Sequence, residues 1–159
     1  MKFKTSRRVI REKALRILYA YEFNSEGLQA LLDSHFTDQD PEEERKFGIE
    51  LVNRTIIRRK ECDKEIESRL SNWELKRVAI IDRILLRMGM TEILSFPEIP
   101  PKVTINEVIE ISKDYSTAGS GKFINGLLDA YLNTLKDSGL LKKSGRGLLE
   151  EKIPDNPES

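Results

Sequence analysis

The stretch SGKFINGLLD, at positions 120–129, contains residues that could bind a polyanion. Lys122 and Phe123 follow small residues there, at the start of a helical pattern with an apolar face. Free N–H groups at a helix start favour phosphate, and a lysine beside a half-exposed aromatic ring suits stacking of single-stranded bases. The structural alternative is that Phe123 is simply the first core residue of this helix and Lys122 a solvated charge.

A second candidate lies at the N-terminus. Residues 1–16 contain seven basic side chains and one acidic one, a local net charge of +6 in a chain whose overall formal charge is zero. Lys4, Arg7, Arg8 and Arg11 form one stripe beside the apolar face of the predicted first helix. Cations at this end oppose the helix macrodipole, which is a reason to consider a polyanionic partner; the alternative is an ordinary solvated face.

Few residues are available for catalysis or metal binding. The chain has one cysteine, Cys62, and one histidine, His35, which excludes an internal disulfide and argues against a zinc site or a histidine-based triad. Neither a P-loop nor a GxGxxG motif occurs. We therefore expect a binding protein with no catalytic residues, no metal and no cofactor. Because no apolar run could span a bilayer and no signal peptide precedes the first helix, we expect a cytoplasmic location without membrane association.

Helical periodicity accounts for most of the sequence. The first helix is predicted from Ser6, as N-cap, to about Phe23. Asp40 and Pro41 predict the start of another helix, with Asp40 as the cap and Pro41 in the first helical position. The acidic run that follows complements the dipole of that helix, so it has a structural explanation.

The C-terminal half contains the most apolar helical segment, residues 74–96, which should be central because it is apolar around most of its circumference. After two proline breaks, Thr104 and Glu107 are spaced as a capping box at the start of the next helix. The last helix is predicted from about Gly121 to Lys136.

These patterns predict an all-α fold of six or seven helices, since no alternation typical of strands occurs. We expect one folded region, residues 1–139, made of two packed subdomains at about 1–70 and 71–139. Residues 140–159 are polar and rich in Gly and Pro towards their end, which predicts a loose tail.

Four segments, in this order, resemble the NusB family of transcription antitermination factors. They are RRVIREKALRILY (7–19), VAIIDRILLRMGMTEI (78–93), IPPKVTINEVIEISKDYS (99–116) and SGKFINGLLD (120–129), the last of which resembles the KFVNG-type motif of that family. Together they cover nearly the whole predicted folded region.

The resemblance implies a non-enzymatic RNA-binding protein built from two helical halves. Proteins similar to NusB bind the boxA element of ribosomal RNA transcripts together with NusE, a small-subunit ribosomal protein, and help RNA polymerase to read through terminators. Arg7, Arg8 and Arg11 match the arginine-rich start of the family's first helix, which contacts RNA. Lys122 and Phe123 match the lysine-phenylalanine pair on the surface that faces RNA and partner. Relatives occur as monomers or dimers, so a homodimer stays an open alternative.

Two other functional classes compete with this interpretation. A similar helical domain forms the N-terminal part of some ribosomal RNA cytosine methyltransferases, but the 159 residues contain no downstream domain with a glycine-rich cofactor loop. We therefore do not expect that activity. The second alternative is a helical adaptor that binds only protein, its basic stripe being solvated or facing an acidic partner.

Overall fold

The computed structural model describes residues 4–71 and 74–149. Within these ranges the chain forms seven α-helices and two short 3₁₀ turns, and no strand occurs there. The prediction of an all-α fold is thus confirmed. The helices are α1 (Ser6–Phe23), α2 (Leu28–His35), α3 (Glu42–Ile57), α4 (Arg59–Ser68), α5 (Ile80–Ser95), α6 (Pro101–Tyr115) and α7 (Ser120–Asp137); the 3₁₀ turns are Leu75–Arg77 and Gly145–Leu148.

Helix α5 lies at the centre, as its all-round apolar pattern predicted. It packs against α1, α3, α4, α6 and α7. Its side chains from Ile84 to Ile93 are buried, and with residues of both halves of the chain they form one continuous core. The outer helices are therefore positioned mainly by the faces that they present to α5.

The helix starts differ from the predicted caps in instructive ways. The N-cap of α1 is Thr5, whose hydroxyl oxygen accepts from the Arg8 N–H at 3.1 Å, so the cap lies one residue before the predicted Ser6. The N-cap of α3 is Pro41. The Asp40 carboxylate instead accepts from Lys13 Nζ at 2.7 Å, which ties the approach to α3 to α1.

The capping box expected at Thr104 and Glu107 is wrong. Helix α6 starts at Pro101, because a proline suits the first helical position, and Thr104 lies buried one turn inside the helix. Its hydroxyl donates to Glu92 Oε1 at 3.1 Å, and Glu107 binds Arg8 of α1. Both side chains therefore join α6 to other helices and do not cap their own.

The structure describes residues 140–149 of the segment predicted as a loose tail; most of them are exposed, but a few contact the end of α5. Lys143 Nζ donates to the Phe96 carbonyl oxygen at 2.9 Å, near the end of α5. A Cβ atom at Gly147 would lie 1.9 Å from the Pro97 carbonyl oxygen, so only glycine permits this close approach. Composition did not reveal these contacts because they are made largely by backbone groups. The other ten residues of the predicted tail lie outside the described ranges.

None of the described helices combines the length and the apolar character that a membrane-spanning helix requires.

Candidate nucleic-acid interface

The predicted basic stripe lies at the N-terminal end of α1, where its arginines bind glutamates on three other helices. Arg8 binds Glu107 of α6 through two hydrogen bonds, Nε to Oε2 at 2.7 Å and Nη2 to Oε1 at 3.0 Å. Hydrogen bonding to Glu107 raises the pKa of Arg8, although partial burial opposes it. The guanidinium is thus held in one orientation at the boundary between α1 and α6.

Arg7 binds α3 in the same manner. Its Nε atom donates to Glu44 Oε2 at 2.5 Å, and its Nη2 atom lies 3.4 Å from Glu44 Oε1. The guanidinium also lies 4.0 Å from the centre of the Phe47 ring, within the range of a cation–π interaction. The Arg7 side chain stays 37% exposed, which leaves part of the cation accessible from outside.

Arg11 is placed in the core, which corrects its assignment to a surface stripe. The side chain is 2% exposed and binds Glu92 of α5, which is fully buried, with Nε to Oε2 at 2.9 Å and Nη2 to Oε1 at 2.7 Å. Burial opposes the charge of Arg11, but the charge of Glu92 and the hydrogen bonds to it raise the pKa of Arg11 overall. Arg11 therefore joins α1 to α5 and offers no surface to RNA in this conformation.

Two lysines of this region, Lys4 and Lys13, are also matched by carboxylates. Lys4 precedes α1, and its Nζ atom donates to Oε1 of Glu12 on that helix at 2.8 Å. The same Nζ atom lies 3.9 Å from the carboxylate of Asp114 on α6. The hydrogen bond to Glu12 raises the pKa of Lys4. Since Lys13 is paired with Asp40, the local charge of the described N-terminal region is much smaller than its sequence suggests.

The second predicted pair stands at the start of α7. Lys122 is exposed and Phe123 is half-buried, with part of its ring against the core. Phe123 thus combines the two alternatives, because one side of it packs while the rest faces outward.

A buried carboxylate fixes the loop that leads into α7. Asp82, in the first turn of α5, accepts from the Ser116 hydroxyl at 2.7 Å and from the Ser120 hydroxyl at 2.8 Å. These bonds join the end of α6 and the start of α7 to α5. They therefore set the position from which Lys122 and Phe123 project.

Helix α6 connects the two predicted sets of residues. On one side, Glu107 and Asp114 contact Arg8 and Lys4. On its other side, α6 packs along α7, and a Cβ atom at Gly121 would lie 3.4 Å from the Ile109 side chain. The stripe and the Lys122–Phe123 pair thus flank the same helix.

An exposed aromatic pair on α1 was not among the binding residues predicted from the sequence. Tyr19 and Phe23 are 40% and 70% exposed, and their rings meet edge-to-face with centroids 5.0 Å apart. One turn earlier, Arg16 donates to the Tyr115 hydroxyl at 2.7 Å. The spacing of Arg16, Tyr19 and Phe23 places them on one side of α1, a signal that could have been read from the sequence.

Comparison with known proteins identifies relatives for almost the entire folded part. Residues 8–133 match the model of the NusB family. The transcription antitermination protein NusB of Salinibacter ruber is 46% identical over 149 residues, which cover 91% of this chain and 92% of that protein. The protein of the same name from Chloroherpeton thalassium is 43% identical over 147 residues, covering 91% and 70% of the two chains.

Solved structures agree with this fold. A structure of T. maritima NusB is 32% identical, superposes with a TM-score of 0.75, and covers 82% of this chain and 93% of that one. A structure of NusB and NusE in complex with double-stranded RNA is 24% identical, with a TM-score of 0.71 and coverage of 81% and 97%. At that identity the second likeness concerns the fold alone.

Proposed function

Because the chain belongs to the NusB family, we propose that it is a non-enzymatic transcription antitermination factor. It binds boxA-type single-stranded RNA of ribosomal RNA transcripts together with NusE, and so promotes antitermination and ribosomal RNA synthesis. The names of its relatives support the antitermination role. A neighbour of the same fold was solved in complex with NusE and double-stranded RNA, and we propose NusE and RNA as partners of this chain as well.

The observation that carries this proposal is the arrangement of cations and an aromatic ring on the two sides of α6. Each of Arg7 and Arg8 uses two of its five N–H groups for a glutamate and retains others for a phosphate. Lys122 adds an exposed charge, and the outward part of Phe123 offers a stacking surface. We assign RNA contacts to Lys4, Arg7, Arg8, Lys122 and Phe123, and a structural role to Arg11.

A protein partner needs a surface of different chemistry. Tyr19 and Phe23 provide exposed aromatic area on the same helix as the arginines, and aromatic side chains are enriched where proteins meet. We place NusE against this pair. The same surface serves a homodimer in the absence of NusE, and the complex acts in the cytoplasm as part of the RNA polymerase antitermination assembly.

The test is a titration of a fluorescent boxA-type RNA, with and without NusE, at two salt concentrations and beside a scrambled RNA. We expect preferential binding of boxA that NusE tightens. Phe123→Ala should lose about 1–3 kcal/mol of binding free energy if a base stacks on the ring. Lys122→Ala should flatten the slope of log K against log salt by about 0.7 if it neutralises one phosphate.

Lys64→Ala is the matched control, because it removes an exposed lysine from α4, away from the proposed surface. Equal loss in Lys64→Ala and Lys122→Ala would show that only overall charge matters. Absence of any boxA preference, with and without NusE, would contradict the proposed function.

The adaptor alternative has one observation in its favour. Carboxylates balance most of the cations on α1, whereas the aromatic pair beside them is uncovered. If NusE binds the wild-type protein but RNA does not, the chain is a protein-binding adaptor. Phe23→Ala should then abolish its main interaction.

A further inference from the structure

Two neighbouring arginines are held in the same way by glutamates from two different helices. Glu107 of α6 and Glu44 of α3 each place one carboxylate oxygen on the Nε atom of an arginine and direct the other towards its Nη2 atom. We call these two glutamates the carboxylate clamp. Both lie at the surface boundary, since the Glu107 and Glu44 side chains are 16% and 21% exposed.

The clamp affects an incoming phosphate in two opposite ways. A carboxylate is itself an anion and cancels most of the charge of its arginine, so attraction to any RNA backbone decreases. The carboxylate also fixes the plane of the guanidinium, since a two-point hydrogen bond restricts the otherwise mobile side chain. A phosphate must then approach the N–H groups that remain, from a direction that the protein dictates.

We infer that Glu44 and Glu107 determine RNA specificity by suppressing non-specific binding to Arg7 and Arg8. The inference rests on the proposed function, because it concerns the same RNA surface. A correctly shaped strand meets arginines that are already oriented, so the restriction costs it little affinity. An unrelated strand depends on the general attraction between phosphates and mobile cations, so it loses most of its affinity.

The experiment measures binding of boxA-type and scrambled RNA to Glu107→Gln, Glu44→Gln and the double variant. Glutamine keeps an acceptor oxygen near the arginine but removes the charge. We expect affinity for scrambled RNA to rise about three- to tenfold per substitution, as for one added charge near the RNA at high effective dielectric constant. The salt slope should steepen by about 0.7 for each arginine released, and affinity for boxA should rise less, so that the preference falls.

Two further variants make the test specific to the clamp. Glu65→Gln is the matched control, because Glu65 of α4 pairs with Arg69, the residue directly after that helix. Its effect on the affinity for boxA-type and scrambled RNA should not exceed the effect of overall charge. Arg8→Gln in the Glu107→Gln background should abolish the gain, because no arginine is left to release. Melting temperatures close to that of the wild type would show that the variants are folded.

The inference fails if the glutamine variants bind scrambled RNA no more tightly than the wild type does. It also fails if the gain in affinity for scrambled RNA persists without Arg8, or if the affinities for both RNAs rise in parallel and leave the preference unaltered. Failure of the proposed function is a separate result. It would appear as equal binding of both RNAs to the wild-type protein, whereas the gain in scrambled-RNA affinity requires no boxA recognition.

Discussion

The buried pair of Arg11 and Glu92 leads to the sharpest prediction on stability. Its side chains are 2% and 0% exposed and share two hydrogen bonds, at 2.7 and 2.9 Å. Arg11→Met removes the guanidinium and leaves the Glu92 carboxylate in the core with the Thr104 hydroxyl as its other side-chain donor. Water cannot replace the lost partner without opening the packing of α1 on α5.

The expected cost follows from leaving one charge buried without its counter-charge. Breaking a buried ion pair in this way destabilises proteins by about 3–5 kcal/mol. For a chain of this size we expect the melting temperature to fall by about 6–20 °C. Arg11→Met/Glu92→Met, which removes both charges, should recover most of the loss because apolar side chains of similar length refill the space.

Urea denaturation followed by circular dichroism measures these differences. Arg54→Met is the control, since Arg54 is 46% exposed and pairs with Glu50 on the surface of α3; it should cost no more than about 1 kcal/mol. If Arg11→Met costs as little as Arg54→Met, the reasoning about the buried pair fails. If the folded Arg11→Met protein loses RNA affinity at low temperature, Arg11 contacts RNA after all.

Two further predictions concern packing and pH. Gly48→Ala should destabilise the protein by about 1–3 kcal/mol, because the new Cβ would lie 2.6 Å from Phe36 Cζ. Gly126→Ala should stabilise it by up to about 1 kcal/mol, because no atom lies within 4 Å of the new Cβ. Thermal melting distinguishes the two variants. Burial lowers the pKa of Lys143 to about 8, against an opposing effect of Glu92. Unfolding should therefore take up a proton between about pH 8 and 10.5, so this lysine makes stability rise across that range. Lys143→Met should remove its share of the rise in urea midpoints measured from pH 7.5 to 10, and identical profiles would contradict the assignment.

The helices were largely predictable because apolar periodicity depends on local sequence. The expected limits of α1 agree with Ser6–Phe23 to within one residue, and the all-round apolar character of the segment around Ile84 correctly predicted a central helix. The start of α6 was misjudged because Thr104 and Glu107 have the spacing of a capping box. Nothing local distinguishes that spacing from a pair that binds other helices.

The candidate site was predictable only in part, because its electrostatics depend on residues far apart in the sequence. Arg8 and Glu107 are separated by 99 positions, and among 27 basic and 27 acidic residues no local pattern marks them as a pair. The burial of Arg11 did leave a signal. Leu15 and Leu18, four and seven positions later, are buried and extend the same helical stripe, which indicates a core-facing arginine.

The 99-residue separation of contacts between α1 and α6 has a consequence for synthesis on the ribosome. Arg8–Glu107 and Arg16–Tyr115 share this separation, so the two helices lie side by side and parallel although one is made long before the other. At about 5–20 residues per second, roughly 5–20 s pass between translation of α1 and translation of its partners on α6. During that interval the arginines of the nascent chain lack these carboxylates, and the first helix to be made is among the last to be fully packed.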